Sequence, residues 1–572
     1  MFSDATLRDP TFWGNLPLSP AATRLIHPYR GVLPVLLASF IVAVLCILGE
    51  PVYQVNDDSF LAMVGGGFGV AVRPESHLLW SHIGYGLILN GLSGLIGPNA
   101  HGWMTVFSIW LSLLLVIAAV LRAPSRDFRP FVLLICLGCI YLSAVLSAEF
   151  TVTSAILFGA GIAMFTVLAA EERTRSRAWT AISVLAIVLG YLIRPDSYLM
   201  GIAIIGPALI FLCWRRSKFA SSARLLALIL VSIALAGFAT DKLAYLASPD
   251  WRSVPHYFDL ATNFTDYNRV PWIPTAPAYR QVGWSFDDYV MFTHWYTRHP
   301  IYSLENVSLL VKSLLVSSSA TAPARIIDWF HFAFTSWSLV PMLCGQALVW
   351  LFLEKRRRAL GLLLILGECG AISLAAYTGR VPLGYVWQAA ADVTLMSLSA
   401  LLITAPCAGD TRWKRFGAIL IGLLGLFAGI LFLSDHQRVR QDAAEYRAWI
   451  AQNQELLKGK VTVWDVGMMW EWLITPTRIY PPFPQLKVAS IDDVNNMPIE
   501  TAMLATLGID DLAKELCTDA EMRLISPYWL VEHLTGFCER HYGIRPVFKK
   551  AAEWRYQAIY VLENPSSLDA AR

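Results

Sequence analysis

Long apolar segments constrain the fold of this chain more than any other feature of its sequence. A membrane-spanning helix needs about 20 mostly apolar residues. Of the 572 residues, 56% are hydrophobic and only 15% are charged, and the mean hydropathy is +0.51. We therefore predict a polytopic α-helical membrane protein with about eleven transmembrane helices. The segments lie at about 31–49, 102–121, 130–148, 154–170, 178–193, 197–213, 223–240, 329–353, 359–377, 385–405 and 416–434.

A twelfth apolar stretch, at 78–96, is interrupted by four glycines and carries polar side chains, which favours a re-entrant or interfacial helix. The basic residues favour the same interpretation. With Arg24 and Arg30 in the cytoplasm and eleven spans, the basic clusters all fall on the cytoplasmic side, as the positive-inside rule requires. Counting 78–96 as a span would instead place the basic cluster at 122–129 on the extracytoplasmic side. The clusters lie at 122–129, 173–177, 215–218, 355–358 and 412–415.

This topology divides the chain into a transmembrane module, 1–434, and an extracytoplasmic C-terminal region, 435–572. The module has two large outer loops, at about 50–101 and 241–328. The C-terminal region mixes strand-like and helix-like runs and is long enough for its own core, so we predict a small α/β domain. Its Cys517 and Cys538 can form a disulfide if the domain lies outside the cytoplasm.

Acidic residues follow two of the predicted spans on the outer side. Asp57 and Asp58 come after the first span, and Glu149 lies in the next short outer turn. A carboxylate at a membrane surface can take a proton from a sugar hydroxyl or bind a divalent cation that bridges phosphates. Solvated loop residues are the alternative. We predict a catalytic role for Asp57 and Asp58, and a possible site for Mg²⁺, Mn²⁺ or Ca²⁺ at Asp58 and Glu149.

Two arginines on the outer side oppose the trend of the other basic residues. Arg194 and Arg380 each follow a predicted span, and a guanidinium group matches phosphate oxygens in a bidentate way. For Arg194 the alternative is a local ion pair with Asp196. We predict that Arg194, Arg380 and His77 of the first loop bind phosphate.

The remaining candidates are aromatic or lie beside aromatic residues, and we predict that they contact substrate. Aromatic faces suit the apolar side of a sugar ring. A second acidic site is the alternative for the two aspartates among them. These candidates are Trp80 and His82 in the first loop, and Trp284, Asp287 and Asp288 in the long loop.

Several other functions find no support in the sequence. It contains no Walker GxxxxGK[ST] motif, no GxGxxG motif after a strand, no cluster of metal-ligating His and Cys, and no GxSxG motif. A transporter is expected to place charge in interrupted spans at the bilayer midplane. Here the notable charges lie at helix ends on one side, which favours an enzyme of the membrane surface. We expect no nucleic-acid partner.

The arrangement resembles the C-class (GT-C) glycosyltransferases, which include protein mannosyltransferases, the aminoarabinose transferase of lipid A and mycobacterial arabinofuranosyltransferases. Asp57 and Asp58 match the first-loop acidic motif, Glu149 matches the second-loop acid, and 75–80 falls where this class has its juxtamembrane helix. The second-loop residue is often Asp rather than Glu in the class. No signature of a particular sugar or acceptor is present, so the chain resembles an uncharacterised bacterial branch.

The resemblance implies transfer of a sugar, with inversion, from a polyprenyl-phosphate donor to a glycan, lipid or protein acceptor. The reaction would take place on the outer face of the bacterial cytoplasmic membrane, with the donor held in membrane lipid. Asp57 would be the base, and Arg194 and Arg380 would neutralise the leaving phosphate. Two alternatives stay open. One is a polymerase, ligase or flippase-like carrier of polyprenyl-linked oligosaccharides that depends on the arginines, and the other is a non-catalytic polysaccharide-binding membrane protein.

Overall fold

The chain begins with a bundle of helices, seen here in a computed structural model. The structure describes residues 31–123, 128–171, 176–214, 219–316, 318–380, 382–404, 411–465, 470–481, 486–491 and 497–567. The first elements are α1 (Val32–Gly49), β1 (Val52–Tyr53), α2 (Asn56–Gly66), α3 (Ile83–Ile96), α4 (Ala100–Arg122), α5 (Arg129–Leu146, with a π-helical turn at Leu137–Tyr141), β2 (Ser147–Ala148), α6 (Phe150–Ala170), α7 (Arg177–Ile193), α8 (Pro195–Trp214) and α9 (Ala220–Ala247).

A long loop and a second group of helices follow. The loop begins with a 3₁₀ turn at Pro249–Trp251 and contains α10 (Val254–Thr265), α11 (Pro277–Val282), α12 (Phe286–Thr293), a 3₁₀ turn at Pro300–Tyr302 and α13 (Leu304–Leu314). The bundle is then completed by α14 (Ser318–Thr335), α15 (Val340–Phe352), α16 (Lys355–Tyr377), α17 (Gly384–Ile403) and α18 (Thr411–Gln452).

The described residues contain nine helices that are long and apolar enough to cross a membrane, namely α1, α4, α5, α6, α8, α9, α16, α17 and α18. The protein is therefore an integral membrane protein. A tenth crossing is formed if α14 and α15 count together, and the span predicted at 329–353 then contains an 88° bend. The bend lies at 336–339, where Leu339 precedes Pro341 in the first turn of α15. The stretch predicted not to cross forms α3, with only 14 residues.

Helix α7 has only 17 residues, yet it runs antiparallel to α6. The guanidinium carbon of Arg194, directly after α7, lies 4.7 Å from the ring centre of Phe150, which begins α6. At the other end Arg122 of α4 pairs with Glu171 after α6, at 3.1 Å. The described residues thus contain nine candidate crossings, or ten with the bent pair, against the predicted eleven, and the difference is the short helix α7. Arg24, Arg30 and much of the basic clusters at 122–129, 173–177 and 215–218 lie outside the described residues.

Two helices form the centre of the bundle. The membrane-spanning stretches of α6 and α17 are 89% and 94% buried, whereas those of α1 and α9 are each 17% buried and expose their apolar side chains outward. Ser and Thr side chains of α6 are buried as well, and the Ser154 hydroxyl donates to the Gly190 carbonyl at 2.7 Å. Small residues of this kind allow helices to approach closely inside a membrane.

Helix α18 continues from the bundle into the C-terminal domain without a break, past the predicted boundary at 434. The domain contains α19 (Gln454–Leu457), β3 (Val461–Asp465), a 3₁₀ turn at Trp470–Trp472, β4 (Lys487–Ile491), α20 (Pro498–Leu507), α21 (Leu512–Thr518), β5 (Met522–Pro527), α22 (Tyr528–Tyr542), β6 (Ile544–Trp554) and β7 (Gln557–Ser567). We call the side of the bundle on which this domain lies the domain side.

The C-terminal domain is an α/β unit, as the sequence predicts. Its sheet has the strand order β4-β3-β5-β7-β6, in which β3 runs parallel to β4 and β5, and β7 runs antiparallel to β5 and β6. The Cys517–Cys538 disulfide joins α21 to α22. Residues of the long loop and of the domain share one hydrophobic core, which includes Phe264 and Trp284 from the loop and Leu530 from α22.

Candidate functional site

The site is organised around α2, which lies on the domain side between the first two spans. Strand β1 pairs in parallel with β2, so the segments after α1 and after α5 meet directly in front of α2 and α6. Asp57 and Asp58 occupy the first turn of α2. Carboxylates are favoured there because the unpaired N–H groups give a helix N-terminus a partial positive charge.

Asp58 faces inward and is fully buried. Its Oδ1 accepts from His101 Nε2 at 3.0 Å, and its Oδ2 accepts from the Phe150 amide at 3.3 Å. The other ring nitrogen of His101 accepts from the Tyr85 hydroxyl at 2.9 Å, which completes a consistent set of donors and acceptors. Burial raises the pKa of Asp58 well above its usual value. Both oxygens of Asp58 are therefore committed to protein groups.

Asp57 faces the other way and is half-buried. Within the described part of the chain, no side chain forms an ion pair with it. Burial raises its pKa, while the nearby guanidinium groups of Arg194 and Arg380 act in the opposite direction and the Asp266 carboxylate adds to the rise. Asp57 is thus an accessible carboxylate flanked by two cations.

Glu149 lies next to Asp58 at the start of α6. Its Oε2 accepts from the Val152 amide at 2.6 Å, so the side chain caps the helix. Its Oε1 is buried and has no hydrogen-bond partner. Burial and the Asp58 carboxylate raise the pKa of Glu149 to about 8. The sequence places Glu149 on the same side as Asp58, and the structure brings the two together.

Arg194 is buried beside the aspartates and is only partly neutralised. Its NH1 donates to the Trp80 carbonyl at 3.2 Å, and its NH2 lies 3.7 Å from Asp196, so the local ion pair expected as the alternative is present but long. Its Nε is buried and has no hydrogen-bond partner among the described residues. A buried N–H group of a cation that lacks an acceptor suits an anionic ligand.

Arg380 approaches the same place from the turn between α16 and α17. Its carbonyl accepts from Trp329 Nε1 at 2.9 Å, which fixes the turn against α14. Its guanidinium group is close enough to lower the pKa values of Asp57 and Asp266 against the effect of burial. The two arginines, which lie about a third of the chain apart in the sequence, therefore both act on the charge of Asp57.

Other residues of the site were not found from the sequence. Asp266 and Tyr267 follow α10 in the long loop. Burial raises the pKa of both side chains, and the charges of Arg380 and Arg194 oppose that rise. Glu471 comes from the C-terminal domain, and burial and then Asp57 raise its pKa to about 7. Its neighbour Trp470 packs on Phe60 of α2, with ring centres 4.7 Å apart. No sequence signal links these distant segments, because only the packed fold brings them together.

The histidines of the first loop have structural partners. His77 lies between Glu75 and Ser248, at 2.8 Å and 3.0 Å, and stacks on Trp251. His82 caps α3 and contacts the Gly237 carbonyl at 3.0 Å. Both nitrogens of each ring are thus occupied, and the structure does not bring the predicted phosphate ligand His77 or the predicted substrate contact His82 to Asp57.

Trp80 is the first-loop candidate that reaches the site. Its carbonyl holds Arg194, and its ring meets Phe258 of the long loop edge-on, with centres 6.1 Å apart. It therefore lies between the arginine and the long loop. A role in contacting substrate stays a prediction for Trp80.

Asp287 and Asp288 form a clamp between α12 and α22, and Trp284 lies in the core beside it. Trp284 is buried in the loop core and donates to the Ile301 carbonyl at 3.0 Å. Asp287 pairs with His533 at 2.7 Å, and the buried Asp288 pairs with His541 at 2.6 Å. Asp288 also completes a capping box with Ser285 at the start of α12. The two aspartates hold α12 against α22, and a role of these three residues in contacting substrate stays a prediction.

The predicted cation site at Asp58 and Glu149 stays a prediction. Both oxygens of Asp58 and one of Glu149 already accept hydrogen bonds. The residues that the structure describes contain no group of three or more His, Cys, Asp or Glu side chains arranged to hold a metal ion. This donor set fits a resident cation poorly, because divalent cations take several oxygen ligands.

The fold and the site define a multipass membrane protein with a half-buried aspartate on the domain side, on whose pKa two arginines act. Its structure is similar to that of ArnT from Cupriavidus metallidurans, solved bound to undecaprenyl phosphate and in the apo state, each with 14% identity, a TM-score of 0.39, and coverage of 92% of this chain and 97% of that one. It is also similar to the arabinofuranosyltransferase AftD from Mycobacteria, with 12% identity, a TM-score of 0.36, and coverage of 92% of this chain and 41% of that one. No protein-family model and no curated protein matches the sequence. Likenesses of this size carry no conclusion about activity.

Proposed function

We propose that this protein is a glycosyltransferase that moves a sugar from a polyprenyl-phosphate donor to an acceptor outside the cytoplasm. One observation carries the proposal. Asp57 is a half-buried carboxylate without a side-chain ion pair among the described residues, and it lies beside Arg194, whose buried Nε has no partner, and Arg380. A base next to two cations is what transfer from a phosphate leaving group requires.

The reaction follows from these positions. The Asp57 carboxylate takes the proton of an acceptor hydroxyl as its oxygen bonds to the anomeric carbon of the sugar. The bond from that carbon to the phosphate oxygen breaks, and its electron pair leaves with the polyprenyl phosphate. Arg194 and Arg380 neutralise the charge that develops on the phosphate. Attack opposite the leaving group inverts the anomeric centre, and Asp57 then releases its proton to water.

Asp58 and His101 position the base. Their buried hydrogen bond holds the first turn of α2, and the Phe150 amide ties that turn to α6. Glu149, beside Asp58, fixes the same junction by capping α6. No step of the proposed reaction requires a metal ion bound by these residues.

The side of the membrane is part of the proposal. The disulfide of the C-terminal domain is typical of compartments outside the cytoplasm. The exposed basic residues at the start of α16, on the opposite side, fit a cytoplasmic location. The proposal therefore places the domain side outside the bacterial cytoplasmic membrane, with the polyprenyl donor in the outer leaflet.

The test uses purified full-length protein with the variant Asp57→Asn and the control Asp510→Asn, an exposed aspartate of the C-terminal domain. We expect D57N to lose at least about 100-fold in consumption of a polyprenyl-phosphate sugar, since general-base catalysis contributes about 10²–10⁴-fold. Binding of undecaprenyl phosphate should survive in D57N, and D510N should match the wild type. Near-normal turnover by D57N would refute the assignment of the base. If Arg194→Gln and Arg380→Gln, made alongside, lose turnover while D57N keeps it, a polymerase, ligase or carrier is favoured instead.

A further inference from the structure

A cleft of about 660 Å³ lies between the long loop and the C-terminal domain. One wall is α10 and the other is α20, and the residues around Asp57 are not among those that line it. Its volume is within the range of ligand-binding pockets. Nothing in the proposed reaction uses this cleft.

Aromatic side chains form the wall on the loop side. Val254, Tyr257 and Phe258 lie three and four residues apart on α10 and so face the cleft together. The ring of Phe258 stacks on that of Trp295, with centres 5.0 Å apart and planes 20° from parallel. Trp295 has a backbone φ of 63°, which bulky residues rarely adopt. Such conformations are concentrated at binding and catalytic sites.

The wall on the domain side carries small side chains, and the polar groups of the cleft come mainly from the loop side. Thr501, Ala502 and Ala505 are exposed on α20, so the space opposite the aromatic wall stays open. Among the described residues that line the cleft, Asp250 is the one with a charge, and hydroxyl groups such as that of Thr297 supply further donors and acceptors. The nearby Arg298 is already paired with Glu500, at 3.6 Å. This chemistry disfavours anionic ligands and suits a neutral, hydroxyl-rich molecule with an apolar face.

The cleft adjoins the helix that carries Asp57. Met497 lines the cleft and also a small gap that is lined by Phe60 and Leu61 of α2 and by Trp80. Trp80 in turn meets Phe258 of the aromatic wall and holds Arg194 through its carbonyl. A molecule in the cleft is therefore separated from the arginine by one tryptophan.

We propose that this cleft binds neutral sugar units of the acceptor, with the Phe258–Trp295 pair stacking on a sugar ring and Asp250 accepting from sugar hydroxyls. The inference rests on the proposed function, which requires an acceptor, and it adds that the acceptor carries carbohydrate. In this proposal the long loop and the C-terminal domain bind the acceptor together, since each supplies one wall of the cleft.

To test this proposal, a large side chain is introduced on α20, the exposed wall of the cleft, so that it fills the space. The variant Ala502→Trp places a large ring opposite Phe258, and the control Thr506→Trp places the same ring at an exposed position of the same helix that does not line the cleft. Phe258→Ala removes the stacking ring. Purified full-length wild type and variants are applied to an array of neutral and acidic oligosaccharides, and undecaprenyl phosphate binding is measured in detergent.

We expect the wild type and T506W to bind the same neutral oligosaccharides, and A502W and F258A to bind them at least about tenfold more weakly, or about 1.4 kcal/mol. All four proteins should bind undecaprenyl phosphate equally. Retained carbohydrate binding in A502W, or binding of only acidic glycans or none by the wild type, would overturn the inference while leaving the donor site intact. Carbohydrate binding that A502W abolishes in a protein that ignores undecaprenyl phosphate would support the cleft and refute the proposed donor.

Discussion

Asp57 and Asp58 are neighbours in the sequence but have opposite environments. Successive residues of a helix point about 100° apart, so only one of the two can face the buried junction with α4 and α6. Asp58 takes that place, with both oxygens bonded to protein groups, and Asp57 is left half-buried beside Arg194 and Arg380. The roles that the dipeptide alone cannot assign therefore follow from the direction in which each side chain points.

Asp58→Asn tests this division of roles through stability. The change weakens the hydrogen bond with His101 and places an amide against the His101 and Phe150 N–H groups, so we expect a loss of about 1–3 kcal/mol. Asp57→Asn, without an ion pair to lose, should change stability little. Denaturant unfolding of the purified variants measures both. Equal losses in the two variants would contradict the assignment.

The pH dependence of turnover tests the surroundings of Asp57. A base must be ionised, so turnover should fall as the pH falls through the pKa of Asp57, which burial raises above that of an ordinary aspartate. Arg194 opposes this rise, so Arg194→Gln should raise the pKa further and move the acid limb of the profile to higher pH. Arg440→Gln is the matched control, because Arg440 pairs with Glu50 at the surface. An acid limb that stays in place or moves to lower pH in R194Q would contradict the geometry.

The sequence could predict those site residues that follow predicted spans. Glu149, Arg194 and Arg380 each stand at the end of an apolar run, and the alternation of spans alone puts them on one side. Asp266 and Glu471 could not be found in this way, because their approach depends on how a loop and a domain fold back. The positions of residues in the sequence also do not show which side chains they bond to. Asp287 and Asp288 therefore resemble an acidic site in the sequence, whereas in the structure they bond to histidines of α22.

The clamp between α12 and α22 is the main polar connection between the long loop and the C-terminal domain. Burial alone would raise the pKa of Asp288. Hydrogen bonds from His541 and Ser285 outweigh burial and hold this pKa below its usual value. Ionised Asp288 therefore stabilises the folded protein at pH values above the pKa of an unfolded aspartate, about 3.9. This stabilisation is lost as the pH falls through the lower pKa that Asp288 has in the folded protein. At neutral pH the clamp is fully formed.

Asp288→Ala should loosen this connection. It leaves the hydrogen-bond donors of a buried carboxylate without their acceptor, which costs about 1–3 kcal/mol. We expect faster proteolytic cleavage in the 248–316 loop by limited trypsin treatment in detergent. Asp287→Ala is the control, since Asp287 is about a third exposed and its hydrogen-bond partner among the described residues is His533. Equal cleavage rates in the two variants would show that Asp288 has no special role in the clamp.

Hydropathy predicts where most membrane-spanning helices lie, but it does not predict bends within a span or helices that continue beyond the membrane. Nine predicted spans appear as single helices because each apolar run matches the thickness of a bilayer. The 88° bend between α14 and α15 was missed, since the apolar composition continues through it. The length of α18 was also missed, because its final turns are polar and are held by packing, with Tyr446 buried against Trp472 of the domain.

At the scale of the whole molecule, the C-terminal domain covers the site that the bundle builds. Helix α18 carries the chain out of the bundle, and the 3₁₀ turn at Trp470–Trp472 brings it back to α2 through the contact of Trp470 with Phe60. The domain thus contributes Glu471 beside Asp57 and one wall of the carbohydrate cleft. Donor phosphate and acceptor sugar would meet between two parts of the chain that sequence analysis treats as separate domains.

The proposed function requires that this side lie outside the cytoplasm, which cysteine labelling can test. Glu455→Cys places a thiol at an exposed position of the C-terminal domain, and Arg356→Cys places one at an exposed position on the opposite side. Arg356 precedes Arg357, whose guanidinium group binds the Leu401 carbonyl at the end of α17, so its side is fixed by the fold. A membrane-impermeant maleimide should label E455C in intact cells and R356C only after permeabilisation, above the background of the wild type. The reverse pattern would place Asp57 in the cytoplasm, where a disulfide such as Cys517–Cys538 is rarely maintained, and would exclude an extracytoplasmic acceptor.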